Sequence, residues 1–130
     1  MPKALLIAVV EDDWLFRDSM RNLMRSLGYT VEVFSSAADF LASPHLTGTA
    51  CLIADVQMPA MSGLELYRHL IDAELAIPTI LITAHPNATD QARALNDGVI
   101  GYLGKPVDEQ HLMRCLRTAL SSAELPDEDP

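Results

Sequence analysis

Apolar runs and amphipathic segments alternate along the whole chain. Short apolar runs predict strands at residues 4–10, 30–34, 50–55, 78–83 and 101–103. Apolar residues that recur at helical spacing predict helices at residues 14–27, 36–43, 62–72, 87–97 and 108–122. Because strands and helices alternate, we expect one α/β domain in which a five-stranded parallel sheet is covered by helices on both faces.

The ends of the predicted helices carry residues that cap helices. Asp13 precedes the first helix, Ser35 or Ser36 the second and Ser62 the third, and each side-chain oxygen can accept a bond from a free backbone N–H group. The apolar residues of the first helix that we expect to face the core are Leu15, Met20, Leu23, Met24 and Leu27.

Acidic residues follow two of the predicted strands. Glu11, Asp12 and Asp13 come directly after the first strand, and Asp55 ends the third. Because parallel strands end at one edge of their sheet, we expect Glu11, Asp12 and Asp55 to lie together, where like charges repel unless a cation joins them. Oxygen ligands without a nearby His or thiolate suit Mg²⁺. The alternative is that these acids are solvated caps, as we expect of Asp13.

Two roles are open for Asp55, a third metal ligand or a nucleophile. An aspartate carboxylate can attack phosphorus and form an aspartyl phosphate. Such a transfer requires the incoming negative charge to be neutralised by Mg²⁺ and by a Lys or Arg side chain. Lys105 follows the fifth predicted strand and precedes Pro106. We therefore expect Lys105 beside Asp55, the alternative being a solvated surface lysine.

Composition narrows the classes of function. The chain has 130 residues, of which 49% are hydrophobic, and a net charge of -9, which disfavours direct binding to nucleic acid or to an anionic membrane surface. The apolar runs are shorter than the roughly 18–20 residues of a membrane span. Cys51 and Cys115 form no Cys-x-x-Cys pair, which favours a reducing, cytoplasmic location. We expect residues 1–123 to form the domain and the acidic residues 124–130 to be a disordered tail.

Four motifs, in order along the chain, resemble those of CheY-like receiver domains of two-component response regulators. They are AVVEDD at residues 8–13, DVQMPAMSG at 55–63, ITA at 82–84 and YLGKP at 102–106. The GYTVEVF and MSGLEL segments look most like the FixJ-type branch. This resemblance covers residues 4–122 and implies a doubly wound, flavodoxin-like (βα)5 fold with strand order 2-1-3-4-5.

The resemblance also implies roles for the acidic residues. Asp55 matches the phosphoacceptor, and Asp12 matches the direct ligand of Mg²⁺. Glu11 matches the acid that holds the metal through water, although aspartate is more frequent there. Gln57 matches the position whose backbone carbonyl is a further protein ligand of the metal.

Further positions match the residues that handle the phosphoryl group. Thr83 and Ala84 match the hydroxyl and the backbone amide that contact phosphoryl oxygens, and Lys105 matches the phosphate-binding lysine. Tyr102 matches the switch aromatic that swings inward when the threonine moves. The Lys105–Pro106 bond matches one that is usually cis.

Taken with the resemblance, these residues imply a phosphoprotein of a two-component phosphorelay. We expect Mg²⁺-dependent transfer from a sensor histidine kinase to Asp55, with no catalysis beyond the protein's own phosphorylation and dephosphorylation. The fourth helix, fifth strand and fifth helix are expected to change and to bind a protein or phosphotransfer partner or a second copy of the chain, in a homodimer.

Two alternatives compete with a single-domain receiver. A haloacid-dehalogenase-like phosphatase would place Asp-x-Asp after the first strand, whereas here Asp55 and Gln57 follow the third. The second alternative is the N-terminal receiver fragment of a FixJ-type DNA-binding transcription factor. The sequence does not decide between this fragment and a single-domain protein, and we favour the single-domain protein.

Overall fold

The computed structural model describes residues 5–124. The predicted tail therefore lies outside the described residues, apart from residue 124, which ends the last helix. Within the described part of the chain, no helix is both long enough and apolar enough to cross a membrane.

Five strands and five α-helices alternate as the hydrophobic pattern predicts. The strands are β1 (Leu6–Val10), β2 (Thr30–Phe34), β3 (Thr49–Asp55), β4 (Thr79–Thr83) and β5 (Gly101–Gly104). The helices are α1 (Trp14–Ser26), α2 (Ala37–Leu41), α3 (Gly63–Asp72), α4 (Ala88–Asp97) and α5 (Glu109–Glu124). One turn of 3-10 helix, Leu46–Gly48, precedes β3 and was not predicted.

All strand pairs are parallel, and the strand order is β2-β1-β3-β4-β5. The predicted α/β class, parallel pairing and 2-1-3-4-5 order are therefore confirmed. β2 lies on one side of β1, and β3 lies on the other. The ends of β1 and β3 are therefore neighbours at the point where the strand order changes side, which is where a doubly wound sheet forms its crevice. The residues that follow these two strands are thus brought together by topology.

The sheet separates two apolar cores. Ile7 and Val9 of β1 face the core under α1 and α5, whereas Ala8 and Val10 face the core under α2, α3 and α4. Because successive strand residues point to opposite faces, a strand buried on both faces reads as a continuous apolar run. This packing makes the central strands a rigid base for the residues at their ends.

Local capping explains where the helices begin. The side chain of Asp13 accepts a bond from the backbone of Leu15, and Ser36 caps α2. Ser62 and Glu65 form a reciprocal capping box at the start of α3. The predicted inward position of Leu15 is wrong, because this side chain is 61% exposed.

Gly63 allows α3 to begin very close to the end of β3. A Cβ atom at this position would lie 2.5 Å from the backbone oxygen of Asp55. The amide of Gly63 also donates to the carbonyl of Val56 at 3.1 Å. The segment that follows Asp55 is therefore folded back against the strand that carries it.

Candidate functional site at the carboxyl edge of the sheet

Three carboxylates converge where β1 and β3 end. One oxygen from each of Glu11, Asp12 and Asp55 can be chosen so that all three atoms lie within 4.8 Å of one another. Glu11 and Asp55 are almost fully buried, with 2% and 6% of their surfaces exposed, whereas Asp12 is exposed. The predicted acid cluster is therefore present, with two buried members and one open to solvent.

Lys105 reaches into this cluster from the end of β5. Its Nζ donates to Glu11 Oε1 at 2.9 Å and to Asp55 Oδ2 at 3.2 Å. The backbone N–H of Lys105 donates to the carbonyl of Thr83 at 2.9 Å, and the Lys105–Pro106 bond is cis. The lysine thus bridges the two buried carboxylates and does not stand in solvent.

The proton affinities of Glu11 and Lys105 are both altered. Burial raises the pKa of Glu11 to about 7, with the nearby Asp55 acting in the same direction and the Lys105 hydrogen bond opposing it. Burial disfavours the charged form of Lys105, but the hydrogen bonds and charges of Glu11 and Asp55 outweigh it and raise its pKa. The ammonium therefore stays charged beside a carboxyl that titrates near neutrality.

The loop after β3 orients Asp55. The backbone N–H of Gln57 donates to Asp55 Oδ1 at 3.0 Å, while Lys105 occupies Oδ2. Both oxygens of Asp55 therefore have a donor, and the carboxylate plane is held on both sides. A carboxylate oriented in this way can act as a nucleophile.

The hydroxyl of Thr83 lies in a separate hydrogen-bonded group. Thr83 is fully buried, and its Oγ1 donates to the side-chain oxygen of Gln57 at 3.1 Å. The same oxygen accepts a bond from the backbone N–H of His85 at 3.0 Å. Ala84, between these two residues, is exposed at the end of β4. Thr83 and Ala84 thus lie on the predicted edge, and Thr83 is bonded to Gln57.

Tyr102 connects β5 to the beginning of α4. Its ring is buried, with 7% of the residue exposed, and its hydroxyl accepts a bond from the backbone N–H of Asn87 at 3.2 Å. Asn87 in turn caps α4 through its side chain. The predicted switch aromatic therefore lies inward in this structure and is bonded to the first residue before α4.

Two contacts of this site were not foreseen from the sequence. The ring of Phe16 lies 4.3 Å from Lys105 Nζ, and the Gln57 side chain, rather than its backbone alone, contacts Thr83. A spacing of four residues links Phe16 to Met20 and Met24, both buried, and this periodicity identifies Phe16 rather than Leu15 as the inward residue. The sequence contained no comparable signal for the Gln57 side chain.

The arrangement suits phosphoryl chemistry. Carboxylate oxygens without His or Cys in the same cluster are ligands that Mg²⁺ prefers. An ammonium 3.2 Å from Asp55 can neutralise negative charge that arrives at this carboxylate. An aspartate nucleophile, a cation-binding cluster and a lysine are the groups that transfer to an acidic side chain requires.

Comparison with known proteins agrees with this chemistry. The family model described as "Response regulator receiver domain" matches residues 7–117. The response regulator protein TodT of Pseudomonas putida is 36% identical over 121 residues, which are 93% of this chain and 53% of that protein. FixJ of Azorhizobium caulinodans, a transcriptional regulatory protein, is 34% identical over 120 residues, or 92% of this chain and 57% of FixJ.

The fold is also similar to that of a solved structure from a relative. The crystal structure of FixJ-N superposes with a TM-score of 0.82 and 29% sequence identity, covering 98% of this chain and 100% of that one. The chain spans about half the length of the curated relatives it matches.

Proposed function

This chain belongs to the response regulator receiver domain family, and from that membership we propose that Asp55 accepts a phosphoryl group from a sensor histidine kinase with the help of Mg²⁺. The observation that carries this assignment is the Asp55 carboxylate beside Lys105, 3.2 Å away, within the acid cluster. The family is one of signalling modules, and we propose that this domain catalyses only the phosphorylation and dephosphorylation of its own Asp55.

The donor set fits a magnesium ion. Asp12 and Asp55 would bind it directly, Glu11 would hold it through water, and the backbone carbonyl of Gln57 would add a neutral oxygen. Asp12 is exposed, which leaves room for the water ligands that Mg²⁺ retains. When bound, the ion supplies positive charge opposite the oxygens of the incoming phosphoryl group.

The protein's own groups would carry the transfer as follows. One oxygen of Asp55 attacks phosphorus, a P–O bond forms, the P–N bond of the phosphohistidine breaks, and its electron pair leaves with the imidazole nitrogen. The Lys105 ammonium would exchange its bond to Asp55 for a bond to a phosphoryl oxygen as the transfer proceeds. The Thr83 hydroxyl and the Ala84 amide would bind further phosphoryl oxygens. Asp55, Thr83 and Lys105 are thus the proposed catalytic residues.

Intact-mass spectrometry with acetyl phosphate and Mg²⁺ tests this assignment. We expect the wild type to gain one phosphoryl group and Asp55→Asn to gain none, because an amide cannot act as the nucleophile. Asp72→Asn is the matched control, because it makes the same change at the exposed end of α3. Equal incorporation in wild type and Asp55→Asn would overturn the assignment.

For the output we propose a switch that runs through Thr83 to α4. The Thr83 hydroxyl would exchange Gln57 for a phosphoryl oxygen, and the displacement at the end of β4 would change the packing of Tyr102. Because Tyr102 is bonded to Asn87, such a change would reach α4 directly. A phosphoryl group can shift this equilibrium only because the active arrangement offers it an additional hydrogen bond.

The surface formed by α4, β5 and α5 is the proposed docking site for a downstream protein, a phosphotransfer partner or a second copy of the chain. Amide exchange with and without beryllofluoride, which mimics the phosphoryl group, tests the switch. We expect changed protection in α4 and β5 as well as near Asp55. Protection that changed near Asp55 alone would contradict this output.

A second proposal is that the chain is the receiver part of a FixJ-type DNA-binding transcription factor. It is favoured by relatives such as FixJ, of which the matched residues make up 57%. Under this proposal DNA contact belongs to another domain, because a net charge of -9 disfavours binding to phosphates. The reading frame beyond residue 130 distinguishes a fused regulator from a single-domain one.

A further inference from the structure

Lys105 has an aromatic neighbour as well as its two acidic ones. Its Nζ lies 4.3 Å from the centre of the Phe16 ring, within the distance over which a ring face attracts a cation. Phe16 comes from the first turn of α1 and packs against the core beneath α1 and α5. The side chain of Lys105 is 18% exposed, so water screens this contact only in part.

Phosphorylation would change the acidic partners of Lys105 but not the ring of Phe16. Transfer to Asp55 converts one acidic partner of Lys105 into a phosphate ester, and a cation bound at the acid cluster competes for Glu11. The Phe16 face is neutral and takes part in neither event. Its attraction for the ammonium is therefore present before, during and after transfer.

The lysine side chain needs such a constraint. Its four-carbon stem has many rotamers, and ordering a side chain of this kind costs conformational entropy. A ring packed against the core restricts where the ammonium can move without removing a hydrogen-bond donor from it. The two carboxylates alone would hold Lys105 less firmly whenever one of them changed partner.

We infer that Phe16 is a positioning residue that holds the Lys105 ammonium at the phosphoryl site through the face of its ring. This inference rests on the proposed function, since it assigns the contact a role in transfer to Asp55. It predicts that phosphorylation depends on the electron density of the ring at position 16 and not only on its volume.

Fluorinated phenylalanines at position 16 test the inference, because fluorine withdraws electron density from the ring while nearly preserving its shape. The rate of Asp55 phosphorylation by acetyl phosphate should fall stepwise from mono- to di- to trifluorinated ring, by about three- to tenfold in all. Phe16→Leu should show a similar fall, and Phe16→Tyr should stay within about twofold of wild type.

Phe34 provides the matched control. Its ring meets Phe40 edge-on at 5.4 Å and packs on the opposite face of the sheet from Phe16. The same fluorinated residues at position 34 should leave the rate unchanged. A flat series at position 16 in a protein that is phosphorylated normally would overturn the inference and leave the proposed function standing.

A second readout needs no phosphodonor. In lysine-labelled protein, the side-chain protons of Lys105 should show an upfield ring-current shift that persists in Phe16→Tyr and is lost in Phe16→Leu. The chain has two lysines, so Lys3→Arg assigns the signals. A shift that survives Phe16→Leu would refute the contact. A wild type that fails to phosphorylate would refute the proposed function, while the shift would still decide whether Phe16 holds Lys105.

Discussion

Glu11, Asp55 and Lys105 form a charged cluster, whereas Thr83, Gln57 and Tyr102 belong to neutral hydrogen-bonded groups beside it. The cluster is held by ion pairs of 2.9 and 3.2 Å between nearly buried side chains. Its energy therefore depends on pH and on bound cations. The neutral groups are held by bonds of 3.1 and 3.2 Å that carry no charge and depend little on either.

Helices α4 and α5 differ in how many apolar side chains they bury. Helix α5 buries a stripe of five side chains, Leu112, Cys115, Leu116, Ala119 and Leu120. In α4 the buried side chain is Ala94, and Leu95 is 45% exposed. Because α4 has little apolar packing to lose, it can move at low cost, as the proposed switch requires.

Polar contacts hold α4 at both of its ends. Asn87 bonds to Tyr102 at the beginning, and the carbonyl of Asp97 accepts a bond from Tyr67 at 3.2 Å at the end. Arg68 also donates to the Asp97 carboxylate at 3.2 Å. The charged cluster is thus fixed by nearly buried ion pairs, whereas α4 is held at its ends by two neutral hydrogen bonds and one exposed ion pair.

Removal of the Lys105 ammonium should have the largest effect on the charged cluster. Lys105→Met should lower the free energy of unfolding by about 3 kcal/mol at pH 7, because two buried carboxylates then face each other unpaired. The loss should be smaller at pH 5, where Glu11 takes up a proton. Urea unfolding at both pH values measures this.

The exposed ion pair of α3 and α4 serves as the control. Arg68→Met removes the same charge from a side chain that is 52% exposed and should cost no more than about 1 kcal/mol. A loss in Lys105→Met that is equal at pH 5 and pH 7 would show that the cluster is not held by charge.

The pH dependence of stability should reveal Glu11 directly. Its pKa is raised from 4.5 to about 7, so the folded state keeps a proton that the unfolded state releases. Stability without divalent metal should therefore fall as pH rises from 4.5 to 7, by at most about 3 kcal/mol relative to Glu11→Gln. Added Mg²⁺ should reduce this fall. A wild-type curve parallel to that of Glu11→Gln would rule out the shift.

Tyr102 and Tyr67 test the neutral hydrogen bonds at the two ends of α4. Tyr102→Phe and Tyr67→Phe each remove one hydroxyl and should each cost about 1 kcal/mol, with little dependence on pH between 5 and 7. Amide exchange should speed up at the beginning of α4 in the first variant and at its end in the second, with α5 unchanged in both. Equal acceleration in α4 and α5 would mean that the helices are not held differently.

Gln57 should have a modest effect on stability and a clear effect on the switch. Gln57→Met should lower the free energy of unfolding by about 1 kcal/mol, because the buried Thr83 hydroxyl loses its acceptor although Gln57 itself is exposed. The Thr83 hydroxyl would lose its present acceptor, so beryllofluoride should bind about two- to fivefold more tightly. Gln110→Met on α5 is the control. Unchanged binding in Gln57→Met would mean that Gln57 does not compete with the phosphoryl group.

Local patterns in the sequence determined the elements of the fold and the edge at which the site lies. The caps at Asp13 and Ser62 depend on neighbours within three residues, and the buried strands depend on continuous apolar runs. Alternation of strands and helices then placed Glu11, Asp12, Asp55 and Lys105 at one edge, because parallel strands all end on the same side. These features were predictable because each follows from short-range spacing or from topology.

Tertiary structure alone decided which side chains touch at that edge. Lys105 lies closer to Glu11 than to Asp55, although 94 positions separate it from Glu11. The ring of Phe16 lies 4.3 Å from Lys105 Nζ, and Thr83 bonds to the side chain of Gln57. Differences of a few tenths of an ångström and the direction of one side chain depend on sheet register, twist and the packing of every element at once. A pattern along the chain does not encode them.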